Sequence, residues 1–214
     1  AIDYLPYFIY TFDELGRIGI GKGRGRMNLT QVNSLPIGTD TPILIYTCKD
    51  KQLSNNYQVI TPNDILKQIN QDMNNDQITL NFLTPTRIKS DGSLTSQLSF
   101  ELLISSLIRR LSALSYFHCG GGLNIDYDHL IMEAKGIQTT SSELKWYDWE
   151  RYSSRQQTSM MLGGFIGKIS YEGDNLSKFL PLLFIGTLIH IGNGATFGLG
   201  RYEIGRGKYM QSIK

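Results

Sequence analysis

The chain has 214 residues, of which 41% are hydrophobic and 19% charged, with a formal net charge of +2. That length accommodates one large or two small domains, and the apolar content suffices for packed cores. Cys48 and Cys119 form neither a disulfide framework nor a metal-ligand set, and the three histidines are dispersed, so no metal or cofactor is expected and a reducing cytoplasm is the expected compartment. The longest apolar run, residues 179–191, contains Pro181 and His190 and falls short of the ~20 residues of a membrane span.

In chain order, "LPYFIYTFDEL" predicts a helix, with Pro6 in its first turn and Phe8, Ile9, Phe12 and Leu15 at helical spacing. "GRIGIGKGRGR" follows, with glycine at nearly every second position and Arg17, Lys22, Arg24 and Arg26 between. It contains Gly16-x-x-x-x-Gly21-Lys22, but Gly23 stands where a P-loop needs a magnesium-binding hydroxyl. "RMNLTQV" then reads as a strand. Helix, glycine loop, strand is the reverse of the order that places a phosphate at a helix N-terminus, so a nucleotide pocket is excluded. Flexible glycines among cations would let a polyanion reach both side chains and backbone N–H groups.

Residues 48–76 are rich in Asn, Gln and Asp and read as a connector with one short helix, capped by Thr61 with Pro62 in the first turn. A strand at "PILIY" precedes them. "QITLNFLTPTRI" alternates Ile78, Leu80 and Phe82 as a strand. "SFELLISSLIRRLSALSYF" places Phe100, Leu103, Ile104, Leu107, Leu111 and Leu114 on one helical face behind a Ser99 cap. A looser region with a short helix near 128–135 follows. "ELKWYDWERYSSRQQTSMML" then predicts a long strand, with Gly163-Gly164 as a hairpin turn into "FIGKISYEG". By alternation Trp146 and Trp149 lie on opposite faces, so at most one is core.

Residues 180–204, "LPLLFIGTLIHIGNGATFGLGRYEI", align without a gap on residues 5–29. Leu5-Pro6 pairs with Leu180-Pro181, Gly19 with Gly194, Gly23 with Gly198, Gly25 with Gly200 and Arg26 with Arg201. One register for both ends argues for an internal duplication. Residues 1–4 leave no room for the rest of a domain before the first helix, so the sequence reads as a piece cut inside a first domain. The expected class is α+β. Residues 77–214 form a ferredoxin-like βαββαβ domain of the RNA-recognition type, and residues 1–76 the last helix and strands of a second, truncated copy plus connector.

On "GNGATFGLGRYEI", "GIGKGRGR", "FLTPTRIK", "WERYSSRQ" and "LGGFIGKISYEG", the chain resembles the CRISPR-associated endoribonucleases of the RAMP superfamily, which cut precursor CRISPR RNA. The resemblance covers about residues 5–35 and 78–205. It implies metal-independent cleavage, in which the RNA's 2′-hydroxyl attacks the neighbouring phosphate to leave 2′,3′-cyclic phosphate and 5′-hydroxyl ends. It also implies CRISPR repeat RNA as partner, and CRISPR effector proteins where such a chain only holds guide RNA. His190, between the apolar helix and the second glycine loop, is the candidate catalytic residue; a packed or capping histidine is the plainer reading. His118 is expected to be structural. Lys22, Arg24, Arg26, Arg151, Tyr152, Arg155, Gly194, Gly198, Gly200 and Arg201 are the candidate RNA contacts. The plainer role of Arg151 and Arg155 is cross-strand pairing on an exposed sheet.

Overall fold

The computed structural model describes residues 2–21, 23–39, 41–71, 76–153 and 157–205. The chain divides into two compact units, residues 1–68 and 69–214.

In the first unit, α1 (Leu5–Ile18) starts with Pro6 in its first turn and ends at Gly19, whose N–H bonds the Leu15 carbonyl. Of the expected apolar face only Ile9 is buried; Phe8, Phe12 and Leu15 are exposed. Ile20 and Gly25 then exchange both backbone hydrogen bonds, at 2.8 and 3.0 Å. The strand expected at "RMNLTQV" begins late: β1 (Gln31–Ser34) pairs antiparallel with β2 (Ile43–Thr47). Met27 donates its N–H to Gly16 in α1, so the ladder opens only where Cys48 reaches Thr30. α2 (Pro62–Gln71) has the expected cap in reciprocal form. Asp64 N–H donates to Thr61 Oγ1 at 3.3 Å, while the Asp64 carboxylate accepts from the Thr61 N–H at 2.9 Å and its hydroxyl at 2.6 Å. Those bonds hold the Asp64 carboxyl below the ordinary carboxylate range.

The second unit contains β3 (Gln77–Thr86), a hairpin of β4 (Ile88–Ser90) and β5 (Ser93–Thr95), α3 (Phe100–His118), α4 (Tyr127–Ala134), β6 (Gln138–Ser142) and β7 (Lys145–Tyr147). A ribbon of β8 (Glu150–Ser153) and β9 (Thr158–Met161) follows, then β10 (Gly164–Glu172), α5 (Leu180–Ile189) and β11 (Tyr202–Gly205). The five-stranded antiparallel sheet runs β11-β3-β10-β6, with β7 also on β10.

Alternation on β3 turns Ile78, Leu80 and Phe82 inward onto Phe100, Leu103, Ile104 and Leu107 of α3 and Leu183 of α5. Each such side chain contributes roughly 1.5–3 kcal/mol by leaving water. Ser99 caps α3 as expected, accepting from the Leu102 N–H. Phe100 packs edge-on against Tyr171 and Phe179, and Phe82 against Phe165. The two buried tyrosines satisfy their hydroxyls on backbone: Tyr171 donates to Leu98 at 2.9 Å and Tyr202 to Leu183 at 2.6 Å. Burial drives both phenols far above their ordinary pKa.

The expected long strand before Gly163 is broken into three. β7 pairs with β10 through Trp146 and Phe165. The chain then leaves the sheet: among the described residues β8 and β9 pair only with each other, and Leu162 N–H closes the foot of this ribbon on the Trp149 carbonyl at 2.7 Å. Gly163-Gly164 is therefore not a hairpin tip. Gly164 starts β10 opposite Tyr147, because the interposed ribbon makes the reversal. Trp146 and Trp149 are both partly exposed, so neither is core.

Candidate nucleic-acid interface

The C-terminal glycine loop, residues 190–201, is fastened along the end of β3 by a chain of hydrogen bonds. Ile191 N–H donates to the Gly200 carbonyl at 2.9 Å, Gly200 N–H to Pro85 at 3.1 Å and Asn193 N–H to Arg87 at 2.9 Å. Thr84 Oγ1 donates to the Gly198 carbonyl at 3.0 Å and accepts the Arg201 N–H at 2.9 Å. Gly200 is buried at φ 75°, where an added Cβ would collide with the Ile191 carbonyl. Gly194 and Gly198, both with φ near 80°, flank a 3-10 turn at Ala195–Phe197.

This changes the reading of the glycines. The N–H groups of Gly198 and Gly200 are used inside the loop and on β3, so those two residues shape the loop and do not offer N–H groups to a polyanion. The two glycine loops also differ: Gly25 pairs with Ile20, whereas Gly200 pairs with Ile191 and Pro85.

His190 follows the last residue of α5 with φ 60° and ψ 170°. For a non-glycine residue this region costs roughly 1–3 kcal/mol and is retained where the surroundings enforce it. The ring does not cap its own helix: Arg110 Nε donates to the Ile189 carbonyl at 2.7 Å, while His190 Nδ1 lies 3.1 Å from the Leu199 carbonyl. A carbonyl only accepts, so Nδ1 carries the hydrogen and Nε2 is the atom left for other chemistry.

Arg151 reaches the same loop from the ribbon, its guanidinium 4.5 Å from the centre of the Phe197 ring. Arg151 and His190 thus contact loop positions 197 and 199. Beside Arg151, Tyr152 is exposed, its hydroxyl 2.7 Å from Gln157 Oε1. Arg201 is exposed and 3.5 Å from Glu203, a surface pair of little energetic weight. The open face of the sheet, where Glu203, Asn81 and Lys168 lie side by side next to the Gly205, Thr79 and Ser170 row, has no aromatic at these positions for base stacking.

In the first unit, Arg24 (φ 48°) and Arg26 are exposed, and Arg17 is paired with Glu14 at 2.7 Å. Arg17 and Arg26 help line a shallow cavity of about 450 Å³ with Glu14, Gly16, Ile18 and Asn28. Lys22 and Arg155 lie outside the described residues. His118 is exposed at the end of α3. Among the described residues no group of His, Cys, Asp or Glu is arranged to hold a metal ion, and no helix is long and apolar enough to cross a membrane.

Thr84 and Arg87 were not among the residues singled out from sequence. Beyond its backbone bond to Asn193, Arg87 donates from Nη1 to the carbonyls of Met161 at 2.9 Å and Gly163 at 3.0 Å, the foot of the ribbon. Their only sequence signal was the Thr-Pro-Thr-Arg end of a strand within "FLTPTRIK".

No curated protein matches the sequence. A solved Cas6 product complex gives a TM-score of 0.56 at 13% identity, over 92% of this chain and 70% of that one. A partial Cas6-RT-Cas1–Cas2 complex gives 0.53 at 17% identity, over 77% of this chain and 30% of that one. Thermus thermophilus Cas6 gives 0.49 at 15% identity over 64% of this chain, a match spanning 57% of that chain's length. A family model described as an N-terminal domain matches residues 1–58. The model described as CRISPR-associated endoribonuclease Cas6 matches residues 80–202, more than half of the sequence, and the chain belongs to that family.

Proposed function

We propose that this chain cuts precursor CRISPR RNA within its repeat, by attack of the RNA's own 2′-hydroxyl. In that reaction the 2′-oxygen–phosphorus bond forms and the phosphorus–5′-oxygen bond breaks, leaving a 2′,3′-cyclic phosphate and a 5′-hydroxyl. One group takes the 2′-hydroxyl proton, another protonates the leaving 5′-oxygen, and cations stabilise the charge gathering on phosphorus. The observation that carries this reading is His190: a strained backbone holds a ring whose Nδ1 is committed to Leu199, leaving Nε2 to exchange a proton. Arg151, over the Phe197 ring, and Arg201, at the end of the loop, are exposed or partly exposed cations for that charge, and Tyr152 and Phe197 are exposed rings for base stacking.

We read residues 77–214 as a ferredoxin-like domain, supported by the βαββαβ succession of the sheet strands and α3 and α5, and by the sheet order. Residues 1–76 are read as the helix and strands of a preceding copy plus a connector, supported by the ungapped register of residues 5–29 on 180–204. The cytoplasm, where CRISPR transcripts are made, is the proposed compartment.

The test is incubation of the chain with repeat RNA in EDTA, followed by analysis of the product ends. Cyclic phosphate and 5′-hydroxyl ends are expected. A 5′-phosphate product, or cleavage abolished by the chelator, would overturn the mechanism. Tight binding without cleavage would instead assign the chain to holding guide RNA in an effector complex.

A further inference from the structure

We propose that Arg87 is a positioning residue that locks the β8–β9 ribbon to the glycine loop, and so sets where Arg151 meets RNA. The proposal rests on the reading of this loop as the RNA-facing site. Its physical basis is the division of labour within one residue. The Arg87 guanidinium holds the ribbon, donating from Nη1 to Met161, the last residue of β9, and to Gly163, just before β10. Its backbone carbonyl holds the loop, accepting from Asn193.

The ribbon needs such a tie. Among the described residues β8 and β9 pair with each other and with no strand of the five-stranded sheet, and an isolated two-stranded ribbon is only marginally ordered in water. Its foot is closed by the Leu162–Trp149 hydrogen bond, which ties the two ends of the ribbon to each other and not to the sheet. The Arg151–Phe197 contact lies further out along β8 and joins ribbon to loop through one pair of side chains. A second attachment, at the foot, turns a point contact into a fixed orientation. Arg87 supplies it from the end of β3, the strand that also fastens the loop through Thr84 and Pro85. A planar guanidinium can direct two N–H groups of one nitrogen at two fixed carbonyls; an ammonium on a flexible stem does so less well.

The experiment compares wild type, Arg87→Gln, Arg87→Lys, Arg151→Gln and the Arg87→Gln/Arg151→Gln double variant in the full chain. Hydrogen–deuterium exchange without RNA should quicken at residues 158–162 in Arg87→Gln, with β3, β10 and Asn193 as protected as in wild type, because Asn193 bonds the backbone carbonyl that the substitution keeps. Arg87→Lys should show a smaller change of the same kind. With repeat RNA, Arg87→Gln and Arg151→Gln should each weaken binding by about tenfold, and the double variant should be little worse than either alone, as coupled residues behave. Unchanged ribbon exchange in Arg87→Gln would overturn the lock, and additive losses of affinity would overturn its action through Arg151. If Arg87→Gln also loses protection in β3 and β10, Arg87→Lys decides: ribbon exchange like wild type would refute the need for the fork. Failure of wild type to bind or cut RNA would remove the proposed function, while the exchange result would still decide whether Arg87 holds the ribbon.

Discussion

Arg151 on the ribbon places its guanidinium 4.5 Å from the centre of the Phe197 ring in the glycine loop. The contact leaves Phe197 half exposed, so the pair presents a cation and an aromatic edge together. Such a contact is worth about 0.5–1 kcal/mol at an exposed site, too little to account for folding. Its use lies in recognition. Arg151→Ala is expected to weaken RNA binding and to lower the slope of log affinity against log salt by about 0.7, the loss of one phosphate contact to a single strand. Phe197→Leu should weaken binding with the slope unchanged, since stacking carries no counterion release. Titrations across a salt series check both, and an unchanged slope in Arg151→Ala would remove that residue from the phosphate-binding set.

The first glycine loop gives a parallel expectation. Arg24 and Arg26 are exposed and have no acid between them, whereas Arg17 is tied to Glu14. Replacing Arg24 and Arg26 together with Ala should lower affinity alike for repeat and unrelated RNA, because phosphate contacts position without reading sequence. A selective loss for repeat RNA would show instead that this loop reads bases.

Helices were the legible part of this sequence. Ser99 before the periodic run of α3, Thr61 before Pro62, and Pro181 at the start of α5 each fix an end through local hydrogen bonding or a preset φ. The position of His190 was legible for the same reason, as the first residue past an apolar helix. Its φ was not, because strain is imposed by the loop's attachments to β3. The ribbon was missed because alternation in "ELKWYDWERYSSRQQTSMML" is the same whether a strand stays in the sheet or departs to pair with itself. Arg87 was missed because its partners Met161 and Gly163 are distant in sequence. In the first unit, Met27 looked like a strand residue because nothing local announces its bond to Gly16.

Alkaline pH should unfold this protein through two tyrosines. Tyr171 and Tyr202 are fully buried, and burial raises both phenols far above the ordinary value near 10. A raised folded-state value means that the stabilisation is complete below about pH 10 and is lost as pH climbs above it, where the unfolded chain ionises and the folded one does not. Each tyrosine contributes a fall of about 1.4 kcal/mol per pH unit in that window. Tyr202→Phe should cost about 1 kcal/mol at neutral pH, the hydrogen bond to Leu183, yet flatten the alkaline loss by about half. Urea unfolding at several pH values measures both, and an unaltered alkaline slope would contradict the assignment.

Two glycines of the second loop should respond unequally to Ala. At Gly198 the surroundings are open, and only the left-handed backbone opposes a side chain, a cost of about 1–2 kcal/mol. Gly200 has the same backbone demand and in addition faces the Ile191 carbonyl, which is itself fixed in the loop. Gly200→Ala should therefore lower Tm clearly more than Gly198→Ala. Equal losses would mean that the loop yields at Ile191 and that its hydrogen bonds do not hold it rigid.

The sharpest expectation concerns His190, and it turns on replacing the residue with glycine as well as alanine. Alanine keeps the strained backbone at φ 60° and ψ 170° and loses the Nδ1 bond to Leu199, so His190→Ala should be less stable than wild type. Glycine also loses that bond, about 1 kcal/mol, but relieves strain of roughly 1–3 kcal/mol, against a chain-entropy cost of about 0.5–1 kcal/mol. His190→Gly should therefore melt at or above the temperature of His190→Ala and close to that of wild type. If His190 exchanges protons with the RNA, both variants should cut more slowly by ~10²–10⁴-fold while binding RNA nearly as well as wild type. If it only shapes the end of α5, cleavage should follow stability, and His190→Gly should cut almost normally. Single-turnover cleavage, RNA binding and thermal melting on the two variants separate these outcomes, and a stable His190→Gly that cuts at the wild-type rate would move the catalytic group away from this loop.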